Sequence, residues 1–86
     1  MRRILSCSAD DNYNLWLRFD DGVEGSVCLR DLVGIGIFDA WRDIKKFKQV
    51  SIHPDEFTVS WENGIDLDQA VLYDDIAGRA RRAMLH

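Results

Sequence analysis

The sequence predicts an α+β fold: an antiparallel meander of three strands, a short helix, a second two-stranded hairpin and a C-terminal helix. Three observations carry this expectation. Period-two alternation with turn signals runs from Ile4 to Leu29. A second alternating stretch, Phe57 to Trp61, leads into an Asn63-Gly64 turn and a helix-start signal. Beyond Asp68 the apolar residues recur at spacings of three and four.

Each element has a local reason. Ile4 to Ala9 reads as the first strand, ended by the turn run Asp10-Asp11-Asn12. In the second, Tyr13, Leu15, Leu17 and Phe19 share one face, and Asn14, Trp16, Arg18 and Asp20 the other. Asp20-Asp21-Gly22 supplies a tight hairpin turn, after which Val23, Gly25, Val27 and Leu29 alternate with Glu24, Ser26, Cys28 and Arg30. Asp31 is placed to cap a single turn before Gly34. Asp39 is a stronger cap and opens a helix over 40–46, with Phe38 stapled to its first turn. Phe47 to Ile52 forms the fourth strand, closed by His53-Pro54-Asp55-Glu56, because Pro54 cannot donate to a ladder. The fifth strand buries Phe57, Val59 and Trp61. Asp68 then caps a helix over about 69–84, whose stripe is Leu72, Ile76, Ala80 and Ala83 or Met84. Gly78 interrupts that helix at a cost of about 1 kcal/mol relative to Ala, so its second half is expected to fray or to depend on a partner.

The composition is that of one globular domain spanning 1–86: 47% hydrophobic, 30% charged, six Gly and one Pro. Apolar runs are short, so no membrane span is expected, and the N-terminus lacks the apolar core of a secretory signal. A cytoplasmic location follows, with Cys7 and Cys28 as thiols. The formal net charge of −4 disfavours general phosphate binding. The charge is uneven, however, with Asp66, Asp68, Asp74 and Asp75 preceding Arg79, Arg81 and Arg82. On one helix that order suits the macrodipole, which competes with its reading as a nucleic-acid patch.

No catalytic, metal-ligand or phosphate-binding constellation emerges, and no cofactor is expected. His53 and His86 lack nearby nucleophiles or companion ligands. The pairs Asp10-Asp11 and Asp20-Asp21 sit in turns, Asp74-Asp75 lies on the helix, and none follows a calcium-loop spacing. Gly34-Ile35-Gly36 lacks the further glycine and long helix of a dinucleotide site. Trp41 and Trp61 are expected in the core, each with its indole nitrogen at the edge. Trp16 lies on the polar side of its strand, as an exposed anchor or as core beneath a covering helix.

Phe19-Asp20-Asp21-Gly22, Asp31-Leu32, Gly36-Ile37-Phe38, Val59-Ser60-Trp61 and, most specifically, Trp61-x-Asn63-Gly64-x-Asp66-Leu67 followed by Leu72-Tyr73 resemble a small prokaryotic domain family of unknown function. The resemblance covers about residues 3 to 73. It implies a compact α+β fold with antiparallel strands. Some longer relatives carry a repressor-type helix-turn-helix domain, for which too few residues follow Tyr73 here. Stand-alone members often lie beside another small gene in an arrangement that suggests a toxin and antitoxin pair. The resemblance supplies no catalytic residues, and Asp66 and Tyr73 are its matched polar positions. Asp66 is equally suited to satisfying turn amides, and Tyr73 to packing its ring beneath the sheet with its hydroxyl at the rim.

The leading expectation is a non-enzymatic protein-interaction module, antitoxin-like or regulatory, with Trp16, Asp66 and Tyr73 as interaction candidates. A homodimer through a sheet edge or the last helix is the subsidiary expectation. The alternative is nucleic-acid binding through Arg79, Arg81 and Arg82, with Arg2 and Arg3. A small enzyme with an unrecognised site comes third.

Overall fold

This computed structural model describes residues 3–62 and 64–84, and for residues 79–84 the backbone alone. Strands β1 (Ile4–Ala9), β2 (Asn14–Phe19) and β3 (Glu24–Cys28) form an antiparallel sheet in the order β1-β2-β3. Cys7 faces Leu17, Ala9 faces Leu15 and Leu15 faces Val27, so one side of the sheet is apolar, as the alternation predicts. Leu5 is the extra residue of a bulge in β1, because Ile4 pairs with Phe19 while Ser6 pairs with Arg18. Both turns are closed as expected. The Asp10 amide donates to the Asn14 carbonyl at 3.1 Å, and the Phe19 amide to the Val23 carbonyl at 2.8 Å.

The middle of the chain departs from expectation. A 3-10 turn spans Arg30–Leu32, so Asp31 lies inside it rather than at its cap. A longer 3-10 helix covers Gly36–Arg42, and the α-helix α1 is only Ile44–Phe47. Its cap is Asp43, whose Oδ1 accepts from the Lys45 amide at 3.0 Å, whereas Asp39 pairs with Arg42 Nε at 2.8 Å. The spacing within 36–42 suits this form, since Phe38 and Trp41 fall three apart and both join the core. A 3-10 helix places such residues directly over one another, while an α-helix rotates each by about 60° from the last.

A second antiparallel sheet has the order β4-β5-β6, from Ser51–Ile52, Val59–Ser60 and Asp66–Leu67. The expected fourth strand shrinks to two residues because Phe47 belongs to α1. The expected hairpin gains a third strand, since Val59 pairs with Leu67 and Ser60 with Asp66. The sheets are joined where the Ile4 amide donates to the Phe57 carbonyl at 3.2 Å.

Helix α2 (Gln69–Met84) starts as predicted, with Asp68 Oδ1 accepting from the Ala70 amide at 2.8 Å, and its backbone runs through Gly78. Leu72 and Ile76 of the predicted stripe are buried, together with Ala77. The side chains of Ala80, Ala83 and Met84 lie outside the described residues, as do those of Arg79, Arg81 and Arg82 and the residues Arg2, Asn63 and His86. Gly25 of β3 makes the helix–sheet contact close, because a Cβ there would stand 2.8 Å from Ile76 Cγ2.

The core is a slab of aromatic rings between the two sheets. Trp41 is fully buried at its centre, with ring centroids 4.8 Å from Phe38, 5.0 Å from Phe47 and 4.8 Å from Trp61. Neither indole nitrogen reaches the edge. Trp61 Nε1 donates inward to the Phe47 carbonyl at 2.7 Å, and buried Trp41 Nε1 has no partner among the described residues. Tyr13, left-handed at φ 63°, donates its hydroxyl to the Trp41 carbonyl at 2.7 Å. Cys7 points to this interior and Cys28 to the opposite side of the sheet, with β2 between them. Two strand spacings separate them by about 9 to 10 Å, beyond the roughly 7 Å that a disulfide spans.

Candidate functional site

The expected polar candidates do not converge. Tyr73 directs its hydroxyl to Asp21 Oδ2 at 2.6 Å and sets its ring edge-on to Phe19 at 5.0 Å. The same carboxylate accepts from the Val23 amide at 3.0 Å, so Asp21 ties the β2–β3 turn to α2. Asp66 is exposed on β6 opposite Ser60. His53 Nδ1 accepts from the amides of Asp55 and Glu56 at 3.2 and 3.3 Å. Tyr73 and His53 thus have structural partners of their own, and Asp66 stands apart from both.

The carboxylates of the β1–β2 turn are likewise engaged. Asp10 accepts from the amides of Asn14 and Asn12 and from the Asn14 side chain, which holds its carboxyl below the usual aspartate value, with Lys48 adding a smaller electrostatic pull. Asp11 pairs with Lys48 at 2.9 Å. Burial raises the Cys7 thiol above its ordinary value, so it is a poor nucleophile. Among the described residues no group of three or more His, Cys, Asp or Glu could hold a metal ion, and no helix is long and apolar enough to cross a membrane.

Trp16 sits between Ser8 and Ser26 on the outer side of the first sheet. It is half-buried, while its neighbours Ser8, Arg18, Glu24, Ser26 and Cys28 are exposed. Its ring is thus packed along the strands, with exposed side chains around it in place of a second core.

Two features escape the sequence reading. The first is the loop between Gly34 and Phe38. Gly34 and Gly36 both take left-handed conformations, at φ 88° and 55°, and between and after them Ile35 and Ile37 point outward, 62% and 66% exposed. Backbone bonds from Ile35 to the Leu32 carbonyl and from Phe38 to the Ile35 carbonyl, both 3.0 Å, fix this loop. A β-branched residue beside each of two glycines was its signal in the sequence.

The second is a cleft of about 440 Å³ at the start of α2, lined by Arg3, Asp55, Glu56, Phe57, Thr58 and Gln69. Its wall is the 53–58 turn, where Phe57 is left-handed at φ 57° and donates its amide to the His53 carbonyl at 2.9 Å. The Arg3 guanidinium lies 4.9 Å over the Phe57 ring. No pattern in the sequence marks Gln69, which is buried only because the chain folds back there.

These features lie within a recognised family. The family model whose description is protein of unknown function (DUF2442) matches residues 4–78, most of the 86 residues. The chain belongs to the DUF2442 family. No curated protein and no solved structure matches it at a significant level. The DUF2442 match takes in both sheets, the Ile35–Ile37 loop, the cleft except for Arg3, and the first ten residues of α2, and it runs past residue 73, where the motifs end.

Proposed function

We propose that this DUF2442 chain is a non-enzymatic protein-interaction module, the antitoxin-like or regulatory partner of another small protein, and that it docks through the Ile35–Ile37 loop. The supporting observation is the exposure of Ile35 and Ile37, one residue apart, on a loop already fixed by its own backbone bonds. Burying one such side chain contributes about 1.5–3 kcal/mol. Because the loop is ordered beforehand, little of that is lost to immobilising it on binding. The setting proposed is a prokaryotic cytoplasm, in keeping with two cysteines placed too far apart to bridge within the chain.

Affinity capture of the tagged chain from its native host, with light scattering of the purified chain, tests the proposal. Capture of a protein partner is the expected result, with affinity reduced at least about tenfold in the double variant Ile35→Ser, Ile37→Ser while its melting temperature is unchanged. A concentration-dependent mass abolished by the same variant would make the partner a second copy. A strict monomer that captures nothing, or a partner retained in full by the variant, would sink it.

A further inference from the structure

The cleft at the start of α2 is built around polar groups that lack partners. Gln69 is only 7% exposed and is the one buried polar residue among those described. Its carboxamide makes no hydrogen bond to any described residue, although a buried amide ordinarily has partners for its two donors and its acceptor. The polar side-chain atom sealed from solvent without a partner is Trp41 Nε1, so those of Gln69 open into the cleft they line.

Arg3, by contrast exposed, presents its charge to the same cleft. Its guanidinium rests on the Phe57 ring, and no carboxylate among the described residues comes within ion-pair distance of it, with Asp55 and Glu56 lining the same cleft. Both residues are held firmly. The Arg3 carbonyl accepts from the Asp20 amide at 2.9 Å, and Gln69 is the first residue of a 16-residue helix. The 53–58 wall is fixed at both ends, by the His53 amide on the Thr58 carbonyl at 2.7 Å and by the Ile4 amide on the Phe57 carbonyl.

The two free groups ask for different chemistry close together. A guanidinium fork takes a planar carboxylate in two parallel bonds. A carboxamide takes another amide, donor to acceptor and acceptor to donor. In a peptide chain one carbon atom separates the last amide from the free carboxylate. Asp55 and Glu56 oppose a ligand bearing several negative charges, which removes phosphate-rich molecules, and favour a cationic residue further back along the chain.

We propose that this cleft binds the carboxy terminus of a peptide chain, its carboxylate on Arg3 and its last peptide group on Gln69, with Phe57 and Thr58 flanking the final side chain. The site uses none of the residues of the Ile35–Ile37 loop, so either proposal can fail alone.

Nitrogen-resolved NMR titration of the full chain with the dipeptide N-acetyl-Lys-Ala tests it, with the same dipeptide ending in a carboxamide and with inorganic phosphate as comparisons. The acid is expected to shift the Gln69 side-chain amide and the Arg3 guanidinium signals with Kd no weaker than about 1 mM, the carboxamide to bind at least about tenfold more weakly, and phosphate not to compete. Gln69→Leu and Arg3→Ala should each reduce binding at least about tenfold. The two roles of Gln69 separate in the free protein. A residue kept for a ligand leaves the melting temperature of Gln69→Leu nearly unchanged, since its carboxamide bonds to no described residue, whereas a purely structural residue lowers it. Ile35→Ser, Ile37→Ser should bind the dipeptide as the unaltered chain does. Equal affinity for acid and carboxamide, competition by phosphate, no shift at Gln69 and Arg3, or a Gln69→Leu chain that binds normally would each overturn the proposal.

Discussion

Asp10 shows how an acidic residue in a turn is engaged by the fold around it. Two amides and one side-chain amide donate to its carboxylate, so the β1–β2 turn is organised around a negative charge. Because those bonds depress the folded-state value below the ordinary aspartate value of about 3.9, the charge stabilises the fold at all pH values above that range. The contribution is lost as pH falls through it and the carboxyl is protonated. Asp10→Ala should therefore lower the urea midpoint at pH 7 and make little difference at pH 2.5, and a deficit that persists unchanged in acid would contradict this. Turn propensity revealed Asp10 in the sequence because its acceptors and donors lie within four residues. Gln69 gave no such sign, since what makes it unusual is burial by the 53–58 turn and Arg3, both far away in the chain.

Among elements, the contact between β3 and α2 is the closest and the easiest to test. A methyl group at position 25 would lie 2.8 Å from Ile76 Cγ2, and Ile76 is itself buried, so neither partner can move aside without shifting the helix. Gly25→Ala should destabilise the chain by about 1–3 kcal/mol. In Gly25→Ala, Ile76→Ala the two losses should be clearly less than additive, because the second change removes the obstruction. Additive losses in chemical denaturation would show that the helix does not sit where described. The elements themselves differed in legibility. Strands β1 to β3 and the start of α2 were readable because alternation, turn residues and the Asp68 cap are all local. The 36–47 segment was misjudged because Asp39 and Asp43 are both good caps, and the choice between them depends on Trp41 reaching the core. Strand β6 has two residues and exists only by pairing with β5, so a pattern of periodicity had nothing to detect.

At the scale of the molecule, two small sheets share one aromatic core and are stitched by the Ile4–Phe57 backbone bond, which requires a left-handed phenylalanine that no propensity would suggest. That arrangement engages Asp10, Asp21, Asp43, Asp68 and His53 in turns and caps, and leaves the two isoleucines and the cleft open. The first sheet also divides the sulfur chemistry of the chain. Cys28 looks outward and Cys7 inward, with burial holding the Cys7 thiol in its protonated form. A colorimetric thiol reagent at neutral pH should release about one equivalent quickly and the second only slowly; Cys28→Ser should delete the fast phase, and two equally fast phases would show the inner side to be open. Mild oxidation should accordingly crosslink pairs of molecules rather than close a ring inside one. A single layer of backbone thus acts as a partition, giving one chain a reagent-accessible handle on its exterior and a protected reporter of unfolding within.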